Sequence, residues 1–502
     1  MSQAPAVVVV LAAGEGTRMR SATPKVLHPM LGRSMLGHVL AAVEPLRAER
    51  LAVVVGHGRH AVAEHVGAVA PDADVVVQDR QDGTGHAVRV ALKQLDVVGG
   101  GIAVVVCGDA PLLTTATLQR LVDEHLQSTA AATVLTARLA DPAGYGRVIR
   151  DASGEVTAIV EDPDADDRQR LVDEVNSGMY AFDVARLREA LGALTRDNSQ
   201  GEEYLTDAVE VLHGAGHRVS AVTVADPREV MGVNDQAQLA AVRAALRDRV
   251  LHGLMAGGVT VVDPATTWVD VQATVEADAV LLPATELRGR TQVGARAQVG
   301  PGTVLTDTVV GADAVVTFTH AEGAVVGEGA RVGPYTFLRP GTVLGPRTRA
   351  GAYVEMKNVE VGADAKVPHL TYAGDAEIGE GANIGAATIF VNYDGVAKHR
   401  TVVGAHARVG SDTMLVAPVR IGAGAYTAAG SVITDDVPAG AMAVARGRQR
   451  TIAGWVERRR AGSPSARAAA AARDQADLSS GKAVVRVQTD EQDDTAEGGP
   501  SA

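Results

Sequence analysis

A six-residue repeat between about residues 293 and 432 limits the possible folds more than any other feature of this sequence. Each repeat begins with a small aliphatic residue, usually followed by Gly, as at Val326-Gly327, Val332-Gly333 and Ile384-Gly385. Repeats of constant length bury their apolar residues by stacking on their neighbours. A period of six is typical of a parallel β-helix, whose short strands form flat walls with the aliphatic residue pointing inward. More than ten repeats in phase argue against a low-complexity Gly/Val-rich segment.

The region before the repeats, about residues 6–232, alternates apolar runs with segments of helical periodicity. We predict the strands Val7–Leu11, Ala52–Val55, Val75–Gln78 and Ile102–Cys107, with helices at Met35–Val43 and Gly85–Leu95. Such alternation predicts a parallel sheet covered by helices, with ligands bound at the carboxyl ends of the strands.

The rest of the chain divides into three further segments. Residues 237–257 carry apolar side chains three and four positions apart and predict a linker helix, although it equally fits the last helix of the first domain. The β-helix is predicted over residues 258–456, with loops at 352–360 and 386–402, and such insertions often form the binding face. Residues 457–502 are rich in Ala, Ser and Asp, and we expect most of them to be disordered.

The composition indicates which kinds of binding partner and which cellular compartment this protein can have. The net charge of −13 argues against nucleic acid as a partner, so anionic substrates must meet local Arg and Lys side chains. Cys107 is the single cysteine, which excludes an internal disulfide framework and a CxxC metal site. The N-terminal apolar run lacks a charged flank and is too short for a bilayer, so we expect a cytoplasmic protein without membrane insertion.

The first predicted strand leads into a Gly-rich turn, Leu11-Ala12-Ala13-Gly14-Glu15-Gly16-Thr17-Arg18-Met19. Such a turn lets backbone N–H groups approach a phosphate. Met19 stands where a dinucleotide-binding motif has its third Gly, which disfavours NAD binding. No Gly-Lys-Ser/Thr follows, so the turn is not a P-loop either. The cations Arg18 and Lys25 would suit a triphosphate and its transition state. A solvated surface lysine is the alternative for Lys25.

Two oxygen ligands for a divalent cation are also present in this region. Asp109 follows the buried strand that ends at Cys107-Gly108, and Asn234 lies in Gly232-Val233-Asn234. Mg²⁺ favours one or two carboxylate or amide oxygens completed by phosphate and water. A helix cap or turn is the alternative role for Asp109.

The interruptions of the repeat contain a second set of polar residues. Arg339 and Lys357 supply cations, and His369 and Tyr372 follow. A histidine that titrates near neutrality is a suitable base for an amine that attacks a thioester. A lone histidine is usually structural, but the neighbouring Arg339, Lys357 and Tyr372 favour catalysis.

Together these motifs resemble those of the sugar-phosphate nucleotidylyltransferases. The resemblance is carried by Leu11–Met19, Lys25, Gln78, Gly83-Thr84, Gly108-Asp109, Gly144-Tyr145-Gly146-Arg147, Glu161, Asn176-Ser177-Gly178 and Gly232-Val233-Asn234. With the repeats that follow, residues 5–455 resemble the bacterial bifunctional N-acetylglucosamine-1-phosphate uridylyltransferase/glucosamine-1-phosphate N-acetyltransferase family. The fold that this implies is an α/β Rossmann-like nucleotidyltransferase domain (residues 1–236), a linker helix and a left-handed parallel β-helix.

For the first domain, the resemblance implies uridylyl transfer from UTP to N-acetylglucosamine-1-phosphate, with release of pyrophosphate. The nucleotide would contact Leu11, Ala12, Ala13, Gly14, Gln78, Gly83, Thr84 and Gly108. The N-acetylglucosamine moiety would contact Gly146, Glu161 and Asn176, and Asp109 and Asn234 would hold Mg²⁺. Arg18 and Lys25 would stabilise charge on the phosphates. Cys107 departs from the tyrosine of some relatives.

For the β-helix, the resemblance implies acetyl transfer from acetyl-CoA to glucosamine-1-phosphate, with His369 as proton acceptor. Arg339 and Lys357 would bind the phosphate, and Tyr372 and Asn383 the sugar. The acetyl-CoA site would be lined by Ala386, Asn392, Tyr393, Ser411, Ala429 and Arg446. The resemblance also implies a homotrimer with sites between neighbouring chains, and a role in cell-wall precursor synthesis. Pro368 and Ala387 replace Gly residues of some relatives. The alternative is a single-activity nucleotidylyltransferase whose β-helix is a scaffold or regulator.

Overall fold

The computed structural model describes residues 4–97 and 100–479. The first domain is built on one sheet of nine strands. In chain order they are β1 (Val7–Ala12), β2 (Arg50–Val55), β3 (Asp74–Val77), β4 (Ile102–Cys107), β5 (Ala132–Arg138), β6 (Arg147–Arg150), β7 (Val156–Val160), β8 (Glu174–Asp183) and β9 (Val219–Thr223). The four predicted strands are confirmed to within two residues, and Gln78 lies just beyond β3.

The strand order brings the ends of β1 and β4 side by side. The main path of the sheet is β9-β5-β8-β4-β1-β2-β3, with β6 paired to β8 and β7 paired to β6. Strand β1 pairs in parallel with β2 and β4, whereas β8 runs antiparallel to β4 and β5. The carboxyl ends of β1 and β4 therefore meet at one edge, where doubly wound sheets bind ligands.

Helices cover both faces of this sheet, and side-chain caps define where several of them begin. The helices are α1 (Met35–Val43), α2 (Arg59–Val69), α3 (Thr84–Gln94), α4 (Thr115–Ser128), α5 (Val184–Ala193) and α6 (Asp207–Gly214). Ser34, Thr114 and Asp183 each accept a hydrogen bond from a backbone N–H in the first turn of α1, α4 and α5.

The repeats form a three-walled parallel β-helix, as the sequence predicts, with the architecture of the left-handed family. The first wall contains Thr260–Val261, Val280–Leu281, Gln298–Val299, Val315–Val316, Arg331–Val332, Arg349–Ala352, Lys366–His369, Asn383–Ile384, Arg408–Val409, Tyr426–Thr427 and Met442–Ala443. The second contains Trp268–Val269, Thr285–Arg288, Thr303–Thr306, Thr319–Glu322, Thr336–Leu338, Ile389–Val391, Met414–Val416 and Val432–Ile433. The third contains Thr274–Val275, Gln292–Val293, Val309–Val310, Val325–Val326, Val343–Leu344, Thr401–Val403 and Val419–Ile421. Two long strands, Glu355–Val361 and Tyr372–Ile378, run from the second wall into the third.

The aliphatic residue of each repeat points into the β-helix. Along the second wall the strand register stacks Leu287, Leu305, Ala321, Leu338, Met356, Ala373, Phe390, Leu415 and Ile433, all of them buried. Each coil thereby removes apolar surface from water only through contact with the coils above and below.

The linker helix α7 (Gln236–Ala256) packs on both halves of the protein. Leu239, Val242 and Leu246 join an apolar cluster with Met30 and Leu112 of the first domain. One turn further on, Leu251 is buried against the core of the β-helix. The helix is therefore the last helix of the first domain, and it also packs against the core of the β-helix where the first coil begins.

The described residues from 445 to 479 belong to a second compact unit with helices α8 (Trp455–Arg459) and α9 (Pro464–Ser479). The expected disorder does not hold for residues 464–479. Their alanine-rich run favours a helix, Ser463 caps it by accepting from Ala466 N, and Pro464 begins it. The remainder of the predicted tail, residues 480–502, lies outside the described residues.

Candidate active sites

A cavity of about 260 Å³ lies at the carboxyl ends of β1 and β4. Most of the residues predicted to hold the nucleotide line it: Leu11, Ala12, Ala13, Gly14, Lys25, Gln78, Gly83, Thr84 and Asp109. Gly108 connects the two strands here, because its N–H donates to Leu11 O at 2.9 Å. The sheet edge therefore gathers residues from four separate parts of the sequence.

The Lys25 ammonium connects the two predicted metal ligands. It forms a short ion pair with the Asp109 carboxylate and donates to Asn234 Oδ1 at 3.3 Å. Asp109 also holds the Asn234 segment through its backbone, since Val233 N donates to Asp109 O at 3.1 Å. One carboxylate and one amide oxygen thus converge on a single positive charge.

This donor set fits Mg²⁺, which accepts a few protein oxygens and takes the rest of its ligands from phosphate and water. Among the described residues, no group of three or more His, Cys, Asp or Glu side chains is arranged to hold a metal ion. Asp109 and Asn234 would therefore suit a metal ion that takes its remaining ligands from the substrate.

Arg18 is not brought to the cavity. It lies on the one-turn helix Thr17–Met19, with its side chain exposed, and forms no ion pair with the described residues. Met19, next to it, is buried and anchors the turn in the cluster beneath α7. The expected phosphate contact of Arg18 therefore stays a prediction.

The three residues predicted to hold the sugar lie together beside the cavity. A methyl group on Gly146 would come within 3.3 Å of Glu161 Oε2 and 3.5 Å of Asn176 Cβ. Asn176 N donates to Gly146 O at 2.8 Å. Burial raises the pKa of Glu161, and the Asp207 carboxylate nearby adds to the rise. Ile159 Cγ2 would lie 3.2 Å from the same methyl group, so Gly146 is closely surrounded and the Glu161 carboxyl and Asn176 are grouped beside it.

The end of the cavity near Gln78 is closed by a segment that the sequence analysis did not select. Gly83 adopts φ +109°, and a side chain there would come within 2.4 Å of Glu203 O. Thr84 Oγ1 accepts from Leu205 N at 3.0 Å. The buried Glu203 forms ion pairs with Arg89 and Arg196. These contacts hold residues 203–205 against the start of α3, a pairing of segments too far apart for any spacing signal.

Cys107 contributes to the cavity wall without reactive chemistry. Its Sγ lies 3.4 Å from Gly178 O, and burial raises the pKa of its thiol to about 12. A thiol that stays protonated is inert as a nucleophile. The departure from tyrosine at this position therefore leaves the phosphate-binding groups in place.

In the β-helix, the structure gathers cations on the second wall. Glu355 pairs in register with Tyr372, and Lys357 with Gly374. Arg339, one coil below Lys357, forms an ion pair with Glu355 at 2.9 Å. Arg339 and Lys357 therefore project from neighbouring coils of the same wall.

Lys398 completes this group and was assigned no role from the sequence. Contact with the Lys398 amine lowers the pKa of Lys357, and the charges of Lys398 and Arg339 lower it further. We call Arg339, Lys357 and Lys398 the cation cluster. Glu355 offsets the charge of Arg339, and the Asp375 carboxylate lies near both lysines, so three cations face two carboxylates and the remaining positive charge would suit a phosphate.

Tyr372 and Asn392 meet directly above Gly374. A methyl group there would lie 2.5 Å from Tyr372 Oη and 2.6 Å from Asn392 Nδ2. Asp375, another residue without a predicted role, accepts from Asn392 Nδ2 at 2.6 Å and from Asn358 Nδ2 at 2.7 Å. Asp375 therefore orients Asn392 beside the cation cluster.

The loop that carries Lys398 is held by its own contacts. Asp394 accepts from the backbone N–H groups of Val396 and Ala397 and pairs with His399 Nε2 at 2.7 Å. The Ala397 N–H, and then the His399 contact, keep the pKa of Asp394 well below its usual range. Tyr393, exposed on the same loop, donates to Gly395 O at 2.6 Å. This loop closes back so that Lys398 returns towards the wall.

His369 ends its strand at the corner between the first and second walls. Its backbone carbonyl accepts from Thr371 Oγ1 at 3.1 Å, while its imidazole is exposed and hydrogen-bonds to none of the described residues. Leu370, the next residue, adopts φ +56° and is also exposed. The ring is therefore free to meet a substrate.

Three of the predicted acetyl-CoA residues lie together, and Arg446 is separate from them in the sequence. Ala386, Ser411 and Ala429 occupy the same corner of three successive coils, since Asp412 N donates to Ala386 O and Gly430 N to Ser411 O. Asn383, which is predicted to contact the sugar, lies on the first wall, in register with Lys366, and not on the wall of the cation cluster. Arg446 is exposed in the second compact unit.

The helices of the described residues include none that is both long and apolar enough to span a bilayer.

Fold and sites together define a sugar-phosphate nucleotidyltransferase joined to a hexapeptide-repeat transferase. The nucleotidyl transferase family matches residues 7–272. The bifunctional protein GlmU of Thermobifida fusca is 59% identical over 93% of this chain and 98% of its own length. The proteins of the same name from Streptomyces coelicolor and Corynebacterium glutamicum are 57% and 52% identical, over 94% and 93% of this chain and 98% and 96% of their own lengths. The chain belongs to the GlmU family, the bifunctional enzymes of UDP-N-acetylglucosamine synthesis. A single-activity enzyme with a β-helical scaffold is not favoured.

Proposed function

We propose that the cavity at the carboxyl ends of β1 and β4 transfers UMP from UTP to N-acetylglucosamine-1-phosphate. The observation that carries this proposal is the convergence of Asp109 and Asn234 on the Lys25 ammonium at the cavity wall. The sugar-phosphate oxygen attacks the α-phosphorus, a new P–O bond forms, and the bond to pyrophosphate breaks. The attacking oxygen is already anionic, so the step needs positioning and charge neutralisation and no general base.

The residues divide this work between them. Gln78, Gly83 and Thr84 hold the base at one end of the cavity, and Gly146, Glu161 and Asn176 hold the acetylated sugar at the other. Lys25 neutralises phosphate charge, and Arg18 reaches the phosphates when the nucleotide is bound. Asp109 and Asn234 would hold Mg²⁺, which supplies further neutralisation of the triphosphate. In its absence Lys25 balances the charge of Asp109.

We propose that the cation cluster binds the phosphate of glucosamine-1-phosphate and that the β-helix acetylates its amine. Tyr372 then lies beside the sugar, and Asn392, which meets it above Gly374, contacts acetyl-CoA next to it. The amine nitrogen attacks the thioester carbonyl of acetyl-CoA, the carbon–sulfur bond breaks, and CoA leaves as the thiolate, which takes up a proton from His369 or water to give the thiol. His369 accepts the proton that the amine loses. Ala386, Ser411 and Ala429, at one corner of successive coils, offer backbone groups to acetyl-CoA. Tyr393, on the loop above, and Arg446 are further expected contacts of acetyl-CoA. Asn383 is a further expected contact of the sugar.

We further propose that the protein is a homotrimer. Four exposed apolar side chains, Phe318, Tyr335, Tyr353 and Leu370, follow one corner of successive coils, with ring centroids 5.5 and 5.4 Å apart. Contiguous exposed apolar side chains usually mark an interface. Leu370 adjoins His369, so a neighbouring chain on this ridge would also enclose the acetyl-transfer site.

The proposed domains are residues 1–236 for uridylyl transfer, 237–257 for the linker and 258–456 for acetyl transfer. We propose a cytoplasmic location, where UTP and acetyl-CoA are available and Cys107 stays reduced. The substrates are small molecules, with no nucleic acid or membrane partner.

Two assays on the purified full chain test both reactions. Pyrophosphate release from UTP and N-acetylglucosamine-1-phosphate should require Mg²⁺ and cease with a chelator. CoA thiol release from acetyl-CoA and glucosamine-1-phosphate should continue with the chelator and collapse in His369→Ala. His406→Ala, at another corner of the β-helix, is the control and should behave like the wild type. CoA release that survives His369→Ala would remove His369 as the base, and pyrophosphate release without any divalent ion would remove the metal from the first site.

A further inference from the structure

The side-chain amide of Gln78 is held in one orientation by two neighbours. Its Nε2 donates to Gly83 O at 3.1 Å and lies 3.0 Å from His86 Nδ1. Gln78 is 5% exposed and lines the cavity together with Gly83 and Thr84. Its amide is therefore a buried polar group in the wall of the cavity.

The chemistry of the two partners settles which end of the amide faces which way. A backbone carbonyl only accepts hydrogen bonds, so the NH₂ group must face Gly83. The second hydrogen of that NH₂ group points to His86, so Nδ1 is the acceptor in this hydrogen bond. No donor among the described residues reaches Gln78 Oε1. The carbonyl oxygen is thus left to accept from a ligand.

We propose that His86 is a positioning residue that sets the nucleotide selectivity of the uridylyl site by holding the Gln78 carbonyl oxygen towards the base. This inference rests on the proposed uridylyl transfer. An acceptor at this place favours a pyrimidine with a hydrogen on ring atom N3, which is uracil. Cytosine has a lone pair at N3 and would face the Gln78 oxygen with two acceptors opposed.

His86 matters because Gln78 can rotate its amide by half a turn at little steric cost. The rotated amide would present NH₂ to the base and would accept cytosine. Gly83 and His86 each oppose that rotation with one hydrogen bond. Sites that read a hydrogen-bonding group of the substrate discriminate strongly only when their own polar groups are fixed. His86 sits on the first turn of α3, a rigid element, which suits this role.

The test compares kcat/KM for UTP and CTP, with N-acetylglucosamine-1-phosphate as acceptor, in the full-length enzyme. His86→Phe keeps a ring but removes the acceptor, and we expect the UTP-to-CTP ratio to fall about fivefold or more, the value of one net hydrogen bond. His86→Asn places an amide oxygen near the position of Nδ1, and we expect it to keep the ratio within about twofold of the wild type, by the same reasoning. His86→Ala replaces the phenylalanine variant if that protein does not fold.

The matched control is His65→Phe, because His65 is a half-buried histidine of the same domain that bonds to Ser34 Oγ, outside the cavity. It should leave the ratio unchanged. An unchanged ratio in His86→Phe, or an equal fall in His86→Asn, would overturn the role of His86. Absence of pyrophosphate release from UTP in the wild-type enzyme would instead overturn the proposed function, so the two failures are distinct. Acetyl transfer by each variant verifies that the chain is folded.

Discussion

The Lys25 ammonium lies against the Asp109 carboxylate, although 84 positions separate the two residues in the chain. Strand β4 delivers Asp109 and the turn after β1 delivers Lys25, so their contact depends on the pairing of these two strands. The pair is mostly buried, with 12% and 24% of the side chains exposed. Its position at the cavity makes Lys25 the best-placed cation for the phosphates of a nucleotide.

Replacing Lys25 should therefore affect one reaction alone. In Lys25→Ala, we expect kcat for uridylyl transfer to fall about 100-fold or more, because a preorganised charge at the reacting phosphates is lost. Acetyl transfer should not change. Lys93→Ala, at the exposed end of α3, is the control. Uridylyl transfer within about threefold of the wild type would exclude Lys25 from transition-state stabilisation, since such groups contribute far more.

Lys398 provides a test of the cation cluster. In Lys398→Ala, the KM for glucosamine-1-phosphate should rise about tenfold or more, because a hydrogen bond between two charged groups is lost. The KM for acetyl-CoA should stay the same. Lys366→Ala removes an exposed lysine from the first wall and should affect neither constant. A rise in both KM values would point to a distorted loop and not to a lost phosphate contact.

Gly374 tests whether Tyr372 and Asn392 act at one point. The methyl group of Gly374→Ala would lie 2.5 Å from the tyrosine hydroxyl and 2.6 Å from the asparagine nitrogen, so both must move. We expect acetyl transfer to fall about 100-fold, as displacements of this size do in active sites, with uridylyl transfer intact. Gly67→Ala, in α2, adds a methyl group with nothing within 4 Å and serves as control. Normal acetyl transfer in Gly374→Ala would place the sugar elsewhere.

Asp207 should make stability depend on pH. Burial, together with the charges of Glu210 and Asp164, raises its pKa from 3.8 to about 6. The folded protein therefore holds this proton more tightly than the unfolded chain, and the stability that this contributes is lost as pH rises from 3.8 through 6. Asp207→Asn cannot ionise, so it should raise Tm above pH 6 and make little difference below pH 3.8.

Thermal unfolding of the ligand-free protein at several pH values measures this effect. Asp72→Asn, which changes an exposed carboxyl, should shift Tm little at any pH. A gain in Tm for Asp207→Asn that is the same at all pH values would show that the substitution acts by packing and not by removing a buried charge.

Local features of the sequence were enough to predict the strands, the repeats and most of the first site. The strand β1 and its Gly-rich turn are contiguous, and Asp109 directly follows a buried apolar run, so both could be placed at a strand end. The same reasoning does not reach Lys398. It lies at the end of an irregular loop, and the contacts inside that loop, such as Asp394–His399 and the Tyr393–Lys398 backbone bridge, fold it back towards Lys357.

Arg18 and Asp375 also show how much of a site the sequence alone can predict. Arg18 is exposed on a one-turn helix beside the buried Met19, and its expected contact with the phosphates stays a prediction. Asp375 was not selected, because a lone Asp carries no spacing signal. Its importance lies in contacts to Asn358 and Asn392, each 17 positions away and therefore one coil distant.

Periodicity and strand ends thus suffice for the architecture, since a constant repeat can bury its aliphatic residues only by coiling, and parallel strands bring their ends to one edge. The tertiary structure alone decided the composition of the sites. Which cations share a phosphate site, which way the Gln78 amide faces and whether α7 belongs to one domain or both all depend on contacts between distant segments. Such contacts follow from the packing of whole elements, and no local pattern of residues specifies them.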